Sequence, residues 1–209
     1  MNWMDMSQRD FLAALASSSP TPGGGTASAV ALGQAAALSI MVADLTLNKE
    51  KWSEGWSVAE RIQHVAIPLM RASGDLAQQD SDAFDRVVAS FQLPKGGEEQ
   101  VAERRSAIRA ATLHAAEVPY ETASKAAELL AMLPELATKG NANAVSDVGV
   151  AGLLASAAAK GALFNVEINL NSLPAEMGET MRNQVDSIKD QVRTDGRRVM
   201  DAVRDRLND

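Results

Sequence analysis

Two ionisable residues stand out by the company they keep. Asp80 shares a helical face with Phe84 and Val87, at spacings of four and seven residues. An unpaired carboxylate on an apolar stripe is costly to bury, which marks Asp80 for a role beyond solubility. Lys49 closes the first concentration of polar groups after a long, Ala-rich run that starts at Ala27. A positioned carboxylate and a positioned ammonium are the groups that general acid–base chemistry needs. A third feature is Pro20-Thr21-Pro22-Gly23-Gly24-Gly25-Thr26. Its prolines fix the entering backbone, and its glycines let another group approach the main chain closely. The free N–H groups of the helix that follows would form an anion or oxyanion site. No Lys-Ser or Lys-Thr follows the glycines and no strand precedes them, so neither a Walker loop nor a dinucleotide fingerprint is present. Further polar residues break apolar surroundings at Asn141, Asn143, Asp147, Asn165 and Asn169. Taken singly, each has a plain structural explanation as a cap, a surface lysine or a partner for nearby backbone.

Composition narrows the chemistry. The 209 residues contain no cysteine, which rules out thiolate nucleophiles and Cys-ligated metals, and only two histidines, His64 and His114, which disfavours a zinc hydrolase. No zinc or flavin requirement is expected. A net charge of -7 argues against a general nucleic-acid binder. Hydrophobic residues make up 46% but aromatics only 4%, so the core is built from Ala, Leu, Val, Ile and Met, which favours closely spaced helices. The N-terminus lacks the basic start and apolar run of a signal peptide. The apolar stretch from Ala27 to Ala43 is interrupted by Ser28, Gln34 and Ser39 and reads as a buried helix, so the cytoplasm is the expected location.

The elements that must position these residues are all helical. Ser7 caps a short first helix, with Asp10 three residues on. A second runs from about Thr26 to Asn48. A third spans roughly Ser57 to Gln92, with a kink or interruption expected at Pro68. A loop at Leu93–Gly97 leads to a fourth, from near Glu98 past Pro119 to about Leu133. Asn143 is the expected N-cap of a fifth, and Pro174 opens a charged, amphipathic sixth. Val166–Leu170 is the one stretch that could pass for a strand. The spacing predicts a single all-α domain, a bundle of about six helices, two of them long and kinked.

Taken in order, Pro20-Thr-Pro-Gly-Gly-Gly-Thr26, Leu45-Thr46-x-x-Lys49, Asp80-x-x-Ala83-Phe84, Leu93-Pro94-Lys95, Gly140-Asn-x-Asn-x-x-Ser-Asp147 and Asn165-Val-x-x-Asn169 resemble the cyclodeaminase/cyclohydrolase family. The resemblance covers nearly the whole chain, and Trp52 stands where that family commonly has Tyr. It implies an all-helical folate enzyme, usually a homodimer, without metal or redox cofactor. The reaction implied is hydrolysis of 5,10-methenyltetrahydrofolate to 10-formyltetrahydrofolate. The alternatives are cyclisation of 5-formiminotetrahydrofolate with loss of ammonia, or a non-catalytic folate-binding helical dimer. On this basis Lys49 and Asp80 are the expected proton-transfer groups. An adjacent Lys49 would hold Asp80 ionised, since an opposite charge within about 4–6 Å lowers an acid's pKa by roughly 1–3 units. The backbone of Gly23, Gly24, Gly25 and Thr26 would hold a substrate oxygen or a folate carboxylate. Asn141, Asn143, Asp147 and Asn165 would meet the pterin edges, with Pro22, Asp82, Phe84 and Asn169 as further substrate contacts. The Ala- and Gly-rich stretches Ala27–Ala37 and Ala151–Gly161 are the expected dimer face.

Overall fold

A computed structural model describes residues 2–208. Six α-helices carry the chain: α1 (Gln8–Leu15), α2 (Gly24–Thr46), α3 (Trp56–Phe91), α4 (Glu98–Lys139), α5 (Val145–Asn171) and α6 (Glu179–Asn208). Short 3-10 turns precede α1, α3 and α5, and no strand occurs among the described residues. Ser7 caps α1 as expected: its hydroxyl accepts from the Asp10 backbone N–H and donates to the Asp10 carboxylate.

Helices α2 to α5 form a four-helix ring, each packed on its sequence neighbour, with α5 closing back onto α2. Helix α6 lies over the groove between α4 and α5. Small residues set the spacing at the centre. A Cβ on Gly33 would fall 2.4 Å from Ser73 Oγ of α3, and one on Gly161 of α5 would fall 2.5 Å from Ser28 Oγ of α2. Around these close approaches Ala29, Leu32, Ala35, Leu129, Leu130, Ala155 and Ala159 are fully buried. The Ala-rich core read from composition is therefore a close-packed helical one.

Several local expectations change. Helix α3 runs through Pro68 without interruption, and α4, which passes Pro119 as expected, continues through Pro134 to Lys139, with Gly140 as its C-cap. Asn143 is not the cap of α5. Asn141 caps a 3-10 turn at Ala142–Ala144, and α5 follows directly. Residues Val166–Leu170 are helical, and α6 starts at Glu179 after Gly178 turns the chain at φ +70°.

Helices α2 and α5 are long and apolar enough to cross a bilayer, although 56% and 50% of their most apolar windows are buried inside the bundle. Their outer faces remain uncovered.

Candidate active site

The Gly-rich turn delivers the start of α2 to the side of α3. Gly23 is the N-cap, without a side chain to satisfy the first amides. The Asp80 carboxylate of α3 takes that place. A Cβ on Gly25 would lie 2.1 Å from Asp80 Oδ1 and 2.6 Å from Oδ2, so only glycine admits the carboxylate here. The Thr26 hydroxyl donates to Asp80 Oδ2 at 3.1 Å, and a Thr26 backbone hydrogen bond adds to it.

Behind Thr26 the hydrogen bonds form a directional chain. The Trp3 indole N–H donates to Ser81 Oγ at 2.8 Å, and Ser81 Oγ lies 3.0 Å from Thr26 Oγ1. Because the Thr26 proton goes to Asp80, Ser81 supplies the proton in the Ser81–Thr26 bond. The order is Trp3 to Ser81 to Thr26 to Asp80. Burial pushes the Asp80 carboxyl above the usual carboxylate range, against the two lowering hydrogen bonds from Thr26. This reverses the expectation that a neighbouring lysine would depress it.

The cleft around Asp80 is lined by Pro20, Thr21, Gly23 to Gly25, Phe84, Ala115, Asn165 and Asn169. Asn165 donates to the Gly161 carbonyl and Asn169 to the Ala115 carbonyl, and these bonds fix both amides in the cleft wall. Pro22, joined to Thr21 by a cis peptide, is buried behind the turn. Asp82 is excluded from the cleft: two residues on from Asp80, it points away from it and accepts from Gln78 Nε2.

The remaining expected site residues lie at the other end of α2. That helix has 23 residues, a length of roughly 34 Å. Lys49 follows its C-terminus, exposed and without an ion pair among the described residues, so it does not meet Asp80 within one chain. Asn141 is committed there. Its side chain donates to the Leu45 carbonyl and accepts from Asn143 N–H, while its own N–H donates to Thr46 Oγ1. Asn143 is exposed beside it, and half-buried Asp147 sits in the first turn of α5, where the dipole favours an anion. Trp52 completes this end, with Lys51 Nζ 4.6 Å and the Arg206 guanidinium 5.6 Å from its ring centre. Sequence reasoning missed Trp3 and Ser81, since nothing in their spacing ties the N-terminus to α3.

The cleft thus joins an all-helical bundle to a buried carboxylate seated on a glycine-opened helix start. The chain belongs to the formiminotransferase-cyclodeaminase family, whose model matches residues 7–187. It is 37% identical over 163 residues to the methenyltetrahydrofolate cyclohydrolase of Methylorubrum extorquens, covering 78% of each chain. It is 29% identical over 205 residues to the formimidoyltransferase-cyclodeaminase of Rattus norvegicus, spanning 96% of this chain and 37% of that one. The crystal structure of formiminotetrahydrofolate cyclodeaminase from Thermotoga maritima superposes with a TM-score of 0.85 at 28% identity, covering 96% of this chain and 97% of that one.

Proposed function

We propose that the protein hydrolyses 5,10-methenyltetrahydrofolate to 10-formyltetrahydrofolate, and the observation that carries this is Asp80. Its carboxylate faces a cleft, its proton affinity is raised by burial, and its position is fixed by Thr26 and the glycine turn. The 37% identity to a cyclohydrolase of similar length supports the choice of substrate.

The substrate carries a positive charge spread over N5, the bridging carbon and N10. Asp80 accepts a proton from water as the water oxygen bonds to that carbon. The tetrahedral adduct then loses its C–N5 bond, and N5 takes the proton from Asp80. The hydroxyl proton of the adduct leaves to solvent, so one water is consumed and one proton released. Oxidation states do not change, so the reaction needs no redox cofactor, and we propose that no metal takes part either, in keeping with a chain that has no cysteine and only two histidines. The Asn165 and Asn169 amides line the same cleft and suit the polar edges of the pterin.

The structural likeness to a cyclodeaminase favours a second reading, ring closure of 5-formiminotetrahydrofolate with release of ammonia. The same acid would protonate the departing nitrogen. We also read the protein as a homodimer, because the α2–α5 face is apolar and uncovered.

Decay of the methenyl chromophore with purified protein, beside ammonia release from the formimino compound, decides between the two. Cyclohydrolysis well above the spontaneous rate is the expected result. Ammonia release alone would establish the second reading. Tight folate binding with neither activity would establish a binding protein.

A further inference from the structure

Three prolines stand inside the long helices: Pro68 in α3, Pro119 and Pro134 in α4. Proline has no N–H to give the carbonyl four residues back, and its ring crowds that carbonyl off the helix axis. The carbonyls deprived in this way are those of His64, Ala115 and Leu130. Those of His64 and Leu130 take no side-chain donor among the described residues. The Ala115 carbonyl does: Asn169 Nδ2 of α5 donates to it at 2.7 Å. Ala115 and Asn169 both line the Asp80 cleft. Pro119, one turn further along α4, is buried and does not line it.

This bond dictates which way the amide points. A carbonyl oxygen only accepts, so the NH2 group of Asn169 must face Ala115, and its Oδ1 is the atom left for the cleft. Asn165, one turn earlier on α5, is held in the same sense, with Nδ2 donating to the Gly161 carbonyl at 2.9 Å. The Gly161 carbonyl also serves the helical ladder, where the Asn165 N–H is its donor. The Ala115 carbonyl has no such donor, which makes it the stronger anchor. Together with the Asp80 carboxylate, the two amide oxygens make this wall of the cleft a set of acceptors. A ligand that lies against it must bring N–H donors.

We propose that Pro119 is a positioning residue for ligand recognition: by withholding an N–H from Ala115 it fixes the Asn169 amide with its oxygen toward the cleft. The fixed oxygen selects the pterin edge that carries the 2-amino group over the edge that carries the 4-oxo group. The choice of ligand rests on the folate reading above; the orientation of the amide does not.

Pro119→Ala tests the proposal. It returns the helical donor to Ala115 and places a better helix former inside α4, so the chain is expected to fold. The KM for methenyltetrahydrofolate should rise roughly three- to tenfold, the weight of one hydrogen bond, with kcat nearly unchanged. Asn169→Ala should raise KM by a similar factor, and the double variant should be no worse than Asn169→Ala alone. Factors that multiply would mean that Pro119 acts through packing, and would overturn the proposal. So would a Pro119→Ala KM equal to that of wild type. Calorimetry with 6-methyltetrahydropterin, beside the analogue that lacks the 2-amino group, tests the edge. Wild type should favour the amino compound and both single variants should lose that preference; equal affinities in wild type overturn the assigned edge. A last readout needs no ligand. The side-chain amide protons of Asn169, followed by NMR, should exchange slowly with solvent in wild type and faster in Pro119→Ala. Equal rates overturn the anchoring. Slow exchange in a wild type that neither turns over methenyltetrahydrofolate nor binds the pterin overturns only the folate reading.

Discussion

Gly25 and Asp80 occupy one another's space: a methyl group on the glycine would stand 2.1 Å from a carboxylate oxygen. The cleft carboxylate and the helix start are thus one unit. Gly25→Ala is expected to displace Asp80 rather than to unfold α2, since alanine is the better helix former. A misplacement of about 1 Å can cost on the order of 10²-fold in rate. Turnover of the variant should fall on that scale while its circular dichroism stays native. Unchanged turnover would show that the close approach is not needed.

Asp80→Asn separates activity from stability. Turnover should drop by about 10²–10⁴-fold, as for loss of a positioned acid or base. Stability should rise. Burial raises the folded-state pKa of Asp80 above its unfolded value, so the folded state loses stability as pH rises from the unfolded through the folded pKa. The amide carries no charge to desolvate, and its melting temperature at neutral pH should exceed that of wild type. Below the unfolded pKa the advantage disappears. Thermal unfolding across pH measures both effects.

Thr26→Val removes one lowering influence on Asp80. The folded pKa must then climb further. If Asp80 acts as the base, the acid limb of the pH–rate profile moves to higher pH. Thr26 is fully buried and valine keeps its shape. The loss of stability should stay within about 1–3 kcal/mol, the cost of leaving Ser81 short of a partner. A profile that drops in height without moving along the pH axis would argue that the hydroxyl only positions.

Asn141→Ala tests the other end of α2. Its side chain joins the entry of α5 to the Leu45 carbonyl and also caps the turn at Ala142. The variant should lose about 1–2 kcal/mol, typical of a lost cap. Denaturant titration at fixed slope would measure this.

The number and order of helices were legible because Pro20, Pro94, Gly96 and Gly140 punctuate long periodic runs. Pro134 misled, since it stands buried inside α4 rather than at its end, whereas the helix was expected to pass Pro119 and does. Asp80 could be singled out because an acid on an apolar stripe demands a reason. Its separation from Lys49 could not be read in advance. Motif spacing says nothing about which end of a 23-residue helix a residue reaches. Asp82, expected as a substrate contact, lies only two residues from Asp80, and two residues along a helix turn a side chain to the opposite side. The Trp3–Ser81 bond spans 78 positions and left no periodic trace.

That bond has an evolutionary consequence. The stretch matched by the family model opens at residue 7, yet the first link of the chain ending on Asp80 is Trp3. Selection on the segment before residue 7 therefore acts on how firmly Ser81, beside Asp80 on α3, is held, although no residue of that segment lines the cleft.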